Sequence, residues 1–489
     1  MRAAVLLLGL LTPAAAWSQL PTARALDGFF QDSLKEWKAP GLAVAIVDAD
    51  RILYAKGFGF REAGKPERMT ADAIFPFASC TKTLTVAALG RAREDDKLAW
   101  DDPLRKHLPW FRLQDEYAGK HATLRDALCH RIGLGGHDLL WYGRSLTMNE
   151  KTKSLALLPF DHPFRSQFDY QAIAFGAAGL ALESAVGESW DAYLQRRILT
   201  PLGMTRTTTR KPKEGSDVAV GHRRSPAGDP VAIAPYLFEH PDPAGSVHTT
   251  VRDSAEFLRL LLRKGEWKGE RVLAEKTIAE MLTPQVVIRR EGLAKTMTPD
   301  ATMMAYGLGW VIQDYHGVTI CQHGGAIDGY RIHLLLVPEA NLGAVFCCNM
   351  DGVSMNLALS HALLDAALGR TAKNWNAYYR ELDQSKLDER IAHFAAIKKR
   401  EAPPALPLAA YAGRYEDRAY GATEISVADG KLTAKRGAWR IALESLGTHR
   451  FYVTTDPAAG GLAEFVIRDG APVELQLFDQ TFRKTKSSP

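Results

Sequence analysis

The stretch Phe75–Gly90, FPFASCTKTLTVAALG, constrains this 489-residue chain more than any other. Pro76 lacks a backbone donor and pushes its neighbour toward extended geometry, so a helix is predicted to begin at about Ser79. From Thr83 to Leu89 the side chains are small or apolar nearly all round, the pattern of a helix enclosed within a domain. Ser79 and Lys82 interrupt that enclosure. Three positions apart on one face, they bring an amine within reach of a hydroxyl at the positive end of the helix dipole. That is a nucleophile beside a base. A capping serine followed by a snorkelling lysine would spell the same tetrad. Enclosure of the helix argues against that reading, because an ammonium among apolar groups is costly unless it has a partner.

At 46% hydrophobic and 24% charged, the chain is globular and long enough for two or three domains. Its formal charge is +5, with basic residues scattered rather than gathered in a stripe, so nucleic acid leaves no footprint. Arg2, the apolar run Ala3 to Leu11, Pro13 and the small residues Ala14 to Ala16 have the layout of a secretory leader, cleaved after Ala16 or Ser18. That run is too short to remain as a membrane span, and no later segment supplies about 20 apolar residues. An exported, secreted or periplasmic protein is expected. Cys80, Cys129, Cys321, Cys347 and Cys348 are odd in number and irregular in spacing, which is not a disulfide framework; most read as buried small hydrophobes. CxxC, HExxH, GxSxG and glycine-rich phosphate loops are absent from the sequence, so no metal or other cofactor is implied.

Along the chain, a helix over Asp27–Trp37 precedes strands at Leu42–Asp48 and Arg51–Gly57, with a tight turn at Ala49 and Asp50. Helical patterns dominate to about Leu202, notably Ala172–Val186 and Trp190–Leu199, and return at Thr249–Leu262 and Ala274–Leu282. Strand character resumes at Tyr306–Gln313, Val318–His323, Gly329–Val337 and Leu342–Asn349, before a helix at Val353–Leu368. Strands at both ends of a helical region predict one α+β sheet assembled from distant sequence, flanked by helices, with a helical lobe and a cleft. A charged helix over Asn374–Arg400 leads to Pro403, Pro404 and Pro407, after which short alternating runs read as a small all-β domain. The expected layout is therefore a leader at 1–18, a main domain at 19–370, a helical linker at 371–404 and the β-domain at 405–489.

These stretches, with Asp101–Pro103, Cys129–Leu134, Pro201–Met204, Tyr306–Trp310, His323–Gly325 and Pro338–Asn349 in common order, resemble the class C β-lactamase and penicillin-binding protein clan of serine hydrolases over Leu26–Leu368. The segment from Tyr411 onward is similar to the lipocalin-like β-barrel found behind many such domains. The resemblance implies a β-lactamase/transpeptidase-like antiparallel sheet, Ser79 as nucleophile and Lys82 as its partner. It implies Tyr170 as the tyrosine of the second element, His323, Gly324 and Gly325 as the third, and the amides of Ser79 and Ala326 as an oxyanion hole. Either Lys82, if burial lowers its pKa, or Tyr170, if a nearby cation favours its phenolate, would serve as base. Glycines at 324 and 325 would let a substrate backbone lie close to the strand.

Two positions depart from that pattern. Ala172 stands where the clan places an asparagine that binds the substrate amide, and His323 stands where many β-lactamases have a lysine. Both argue for an esterase, or an amidase or peptidase acting on a small molecule or peptide, over an efficient β-lactamase. Ala172 also motivates the alternative of a catalytically impaired binding or sensor protein. His130 reads as a structural histidine capping a helix end. The segment Ala234–Val247, with Tyr236, Phe238, Glu239, His240 and Asp242, is expected at the cleft rim.

Overall fold

The computed structural model describes residues 20–225, 227–371, 373–453 and 461–485. The predicted leader lies outside them. Contacts divide the chain into two compact units: the residues to Asp95 with Asp191–Leu237 and Gly245–Asp383, and Asp96–Trp190 with Phe238–Ala244 and Gln384–Pro489.

The first unit is built on an eight-stranded antiparallel sheet. Its order is Ile52–Gly59, Gly41–Val47, Leu342–Cys348, Tyr330–Val337, Val318–Ile327, Val311–Tyr315, Met304–Tyr306 and Val286–Val287. The early hairpin thus pairs with the last strand, with Leu42 opposite Cys348 and Val47 opposite Gly343. Alternation along Gly41–Val47 divides its side chains between two faces. Leu42, Val44 and Ile46 enter a core with Phe30, Leu34 and Trp37 of the helix Ala23–Trp37 and Leu359 and Leu363 of the helix Met355–Ala367. Phe30 is fully buried there, worth about 2–3 kcal/mol for such a side chain. The opposite face carries small residues, and a Cβ at Gly343 would come within 3.1 Å of Leu258 on the helix Val251–Leu262. Helices therefore cover both faces.

Two predicted elements break. The strand expected over Tyr306–Gln313 divides into Met304–Tyr306 and Val311–Tyr315, because Gly307–Trp310 turns, closed by Gly307 N–H donating to the Trp310 carbonyl (2.8 Å). Gly309 sits in that turn at φ 74°, and a Cβ there would lie 2.9 Å from Val86 and 3.1 Å from the Lys82 carbonyl. The turn is thereby seated against the helix that follows Ser79. The helix expected over Trp190–Leu199 winds as α only to Leu194, then as π from Gln195 to Leu199.

The second unit holds the helical lobe and the C-terminal β-domain. The helix Ala172–Val186 starts and stops where predicted, capped by the Gln171 side chain and by Gly187 at φ 75°. It is enclosed through small residues: Gly176 faces Met148, and Gly179 faces Pro243. Eight antiparallel strands from Gly413–Asp417 to Gln480–Lys484 close into a barrel through pairing of Trp439–Thr448 with Arg450–Val453, while Ala402–Pro404 adds to the outside in parallel. Tyr411, Tyr415, Leu432, Ile441, Phe451, Phe465, Leu475 and Phe482 fill the interior and are at most 2% exposed. Eight strands leave room for side chains and little else. The barrel core is packed with side chains.

Candidate active site

Ser79 lies in a 3₁₀ turn, Ala78–Cys80, that runs into the α-helix Thr81–Glu94, so the helix proper opens two residues later than predicted. The entry is strained: Ala78 has φ 49°, a left-handed conformation that non-glycine residues rarely adopt. Phe77 N–H donates to the Val247 carbonyl (2.7 Å), and Thr81 accepts from Val247 N–H (3.2 Å), pinning the turn on both sides. Ser79 is half-buried, whereas Lys82 is 1% exposed. The Lys82 amine donates to the Ser79 hydroxyl at 3.4 Å. The pair anticipated from spacing alone is therefore formed.

The strand Val318–Ile327 runs beside this turn and extends four residues beyond the predicted His323 terminus. Cys80 donates its thiol to the His323 carbonyl (3.3 Å). A Cβ at Gly325 would fall 2.5 Å from the Phe77 carbonyl and 3.2 Å from Cys80 Sγ. Gly325 is thus required by the close approach of strand and turn. Gly324 has open space instead, and with Ala326 it is exposed on the other face. The neighbouring strand Val311–Tyr315 pairs only as far as Gln322, opposite Val311. Among the described residues, that edge of His323–Ile327 has no ladder partner. An unpaired edge of backbone donors and acceptors is what an extended substrate uses as an added strand.

His323 is 3% exposed and held at both ring nitrogens. Nδ1 lies 2.8 Å from the Gly324 carbonyl, which only accepts, so Nδ1 carries the proton and Nε2 accepts from the Tyr306 hydroxyl at 2.8 Å. Burial, reinforced by the Lys82 charge, depresses its pKa to about 3. His323 is therefore neutral at physiological pH. In sequence Tyr306 stands only within a shared stretch, which gives no hint of its role in fixing the His323 tautomer. A tyrosine 17 residues away carries no local signal of that contact.

Tyr170 and Ala172 belong to the second unit. The Tyr170 ring packs on His130 with centroids 4.3 Å apart, and Phe168 and Phe175 pack on the same imidazole. His130 does cap a helix end, but a different helix from the one it terminates: its Nδ1 accepts the Gln171 amide (3.1 Å) just before Ala172. His130 itself is at φ 60°. The turn is held by Asp126, fully buried, which accepts from Thr123, Arg131 and Arg165. The Arg165 hydrogen bond, Thr123 amide and Arg131 hold its carboxyl below the usual range despite burial. Gln171 is a second residue the sequence reading missed. Its side chain accepts from Ile173 N–H (2.9 Å) and donates to the Gly135 carbonyl, tying the helix start to the loop that follows the His130 turn. Ala172 is the first helical residue and supplies no polar side chain. In the expected rim segment, Phe238 stacks on Trp141 and Glu239 accepts from Ser145, but Asp242 forms a buried ion pair with Lys151 at 2.7 Å. Asp242 is structural. The five cysteines are free and buried, as expected. Among the described residues no cluster of metal-ligating side chains occurs and no helix is long and apolar enough to cross a membrane.

The sheet covered by helices on both faces, with Ser79 at the entry of an enclosed helix and the Lys82 amine bonded to it, is the architecture of a β-lactamase-like serine hydrolase, the class in which the family match and the named relatives place the chain. The family described as Beta-lactamase matches residues 26–368, and the chain belongs to it. Residues 398–488 match a second family, described as a domain of unknown function, DUF3471. The chain is 29% identical over 458 residues to the unguisins hydrolase ungD of Aspergillus violaceofuscus, covering 84% of this chain and 79% of that one. It is 28% identical over 326 residues to penicillin-binding protein 4 of Amycolatopsis lactamdurans, covering 65% and 83%. Among solved structures it is similar to the octameric penicillin-binding protein homologue from Pyrococcus abyssi, with TM-score 0.63, 21% identity and coverage of 95% and 99%. It is also similar to EstCE1, a hydrolase with promiscuous acyltransferase activity, with TM-score 0.59, 22% identity and coverage of 71% and 98%. At these identities the two structures speak to the fold.

Proposed function

We propose that the protein is an exported serine hydrolase that cleaves an ester or amide bond through an acyl-enzyme on Ser79. One observation carries the reading: a lysine amine, enclosed by the protein, donates to a serine hydroxyl that solvent still reaches. Lys82 and Tyr170 form the base network that draws the proton from Ser79 as its oxygen bonds to the substrate carbonyl carbon. The amides of Ser79 and Ala326 receive the developing oxyanion, a contribution of about 3 kcal/mol per donor. The alcohol or amine leaves with a proton, and water releases the acid. Gly324 and Ala326 present the open strand edge along which the substrate lies.

An ester, or an amide of a small molecule or peptide, fits this site better than a β-lactam. His323, neutral by virtue of its burial, offers no fixed cation to a substrate carboxylate, and Ala172 offers no amide hydrogen bond. Relatives named as hydrolases are in keeping with this choice. The absent side chain at Ala172 also favours the second reading, a binding or sensor protein that retains the fold with little turnover.

A fluorophosphonate or p-nitrophenyl ester tests the reading directly. The expected result is a mass adduct on Ser79 and loss of turnover in Ser79→Ala. A protein that forms no adduct, and whose ester turnover survives Ser79→Ala, is not this hydrolase. If Ala172→Asn creates turnover where the native chain has none, the sensor reading gains.

A further inference from the structure

The side of the barrel that meets the helical lobe contains an arginine in an unusual setting. Arg436, at the end of the strand Lys431–Arg436, is fully buried and makes no ion pair among the described residues. Its guanidinium is spent on carbonyls: Nη2 donates to Leu139 (2.8 Å) in the lobe and to Tyr420 in the barrel, and Nη1 lies 3.4 Å from the Thr423 hydroxyl. Burying a guanidinium without a carboxylate is expensive, and its retention at a joint is explained by what it holds in register. Burial and the like charge of Arg144 pull its pKa down to about 10, so it remains charged at neutral pH.

Arg436 does not act alone on this joint. His137 Nδ1 and the Tyr420 hydroxyl are 2.6 Å apart. Arg144 donates from the lobe to the Ala419 carbonyl (3.3 Å), and Ala438 N–H donates back to the Gly143 carbonyl (3.0 Å). Tyr142 meets Trp439 edge to face at 5.1 Å. Gly437 has no room for a side chain, since a Cβ would fall 1.9 Å from the Gly143 carbonyl. Each of these contacts lands on one loop of the hydrolase domain, residues 135 to 144. The loop's other end is tied inward: Gly135 N–H donates to Asp161 (2.6 Å), and the Gly135 carbonyl accepts from Gln171, the residue between Tyr170 and Ala172.

We propose that the C-terminal barrel is a working part of the hydrolase, and that Arg436 and Tyr420 are positioning residues which latch loop 135–144 and, through Gly135 and Gln171, hold the backbone that carries Tyr170. This rests on the acyl-enzyme reading and deepens it. The two groups touch no reacting atom. Their effect is on the orientation of a catalytic side chain, and misplacement by about 1 Å is enough to slow chemistry by an order of magnitude or more.

The test uses the full chain with Tyr420→Phe, which removes one oxygen from a barrel whose core is otherwise kept, and Arg436→Lys and Arg436→Met beside it. Tyr420→Phe is expected to lower kcat for a p-nitrophenyl ester by about tenfold with KM little changed. It should also slow fluorophosphonate labelling of Ser79 in proportion and speed hydrogen exchange at amides 135–144, while exchange in strands 463–477 stays native. Arg436→Lys should retain more activity than Arg436→Met. His137→Asn combined with Tyr420→Phe should be no worse than the more damaging single change, because both break one contact. Native-like exchange in the barrel with unchanged kcat and labelling in Tyr420→Phe overturns the proposal while leaving the hydrolase intact. Should Arg436→Met fail to fold, Tyr420→Phe decides alone. A wild-type chain that never labels on Ser79 removes the acyl-enzyme reading and the latch together.

Discussion

At the residue scale, two adjacent glycines that look alike in sequence do different physical jobs. Gly325 is pressed against the backbone leading into the Ala78–Cys80 turn, with the Phe77 carbonyl 2.5 Å from where a Cβ would stand. A backbone atom cannot move aside as a flexible side chain can, so Gly325→Ala must displace either the strand or the already strained Ala78–Ser79 entry. Overpacking of this kind costs about 1–3 kcal/mol. The expected outcome is a stability loss of that order measured by urea titration, together with ester turnover reduced by at least about tenfold. Gly324→Ala meets nothing within 4 Å and should leave stability within about 0.5 kcal/mol of native. Equal stability losses in the two variants would refute this account of the glycine pair. The same scale sets the limit of what was readable. Ser79 and Lys82 were found because helical spacing predicts their contact, whereas Tyr306 and Gln171 act through partners that only the tertiary fold supplies.

At the scale of elements, the helices with small or apolar faces and the alternating strands were legible, since period and capping act locally. Ala172–Val186 and the hairpin Gly41–Gly59 lie where their patterns put them. The failures fall where tertiary packing overrides period: Gly307–Trp310 turns to seat against Val86 and Lys82, and Gln195–Leu199 widens to a π-turn. The barrel hairpins show how turn chemistry is legible and where it is compromised. Asp429–Gly430 and Asp469–Gly470 occupy two-residue loops with both φ values positive, the pairing that type I′ turns favour. The third such loop holds Phe478 and Asp479 at φ 51° and 60°, where a bulky aromatic is strained. The Phe478 ring is stacked on Trp439 at 5.7 Å, the residue that meets Tyr142, so packing offsets the strain. Asp479→Gly relieves one left-handed position without touching that stack. It should raise barrel stability by about 0.5–1 kcal/mol, read as a higher melting temperature of the barrel transition. A lower melting temperature would mean the Asp479 side chain supports the turn.

At the scale of the whole molecule, acid should act unevenly on the two compact units, because five buried histidines with depressed pKa values share one of them. His323 and His333 titrate at about 3 and His248 at about 4 in the folded chain, each pulled down chiefly by burial from 6.5. His222 and His361 shift in the same direction for the same reason. All five belong to the first unit. A histidine whose folded pKa lies below its unfolded value binds its proton more readily when unfolded. Its contribution to stability is whole above pH 6.5 and is lost as pH falls toward the folded pKa. Each neutral histidine then costs about 1.4 kcal/mol per pH unit, so three titrating together remove about 4 kcal/mol between pH 6 and pH 5. The second unit is governed differently. Asp126, held ionised by Arg165 and Arg131, contributes stability that is present above the unfolded aspartate value near 3.9 and is lost only below it. Hydrogen exchange at pH 5 should therefore accelerate in peptides spanning strands 330–348 while the helix 172–186 keeps its protection, and protection of that helix should fail only near pH 3. His333→Phe removes one titrating group from an apolar site beside Phe346 and should move the first transition to lower pH. Simultaneous loss of protection in both units at pH 5, unchanged by His333→Phe, would show that acid sensitivity arises elsewhere in the chain.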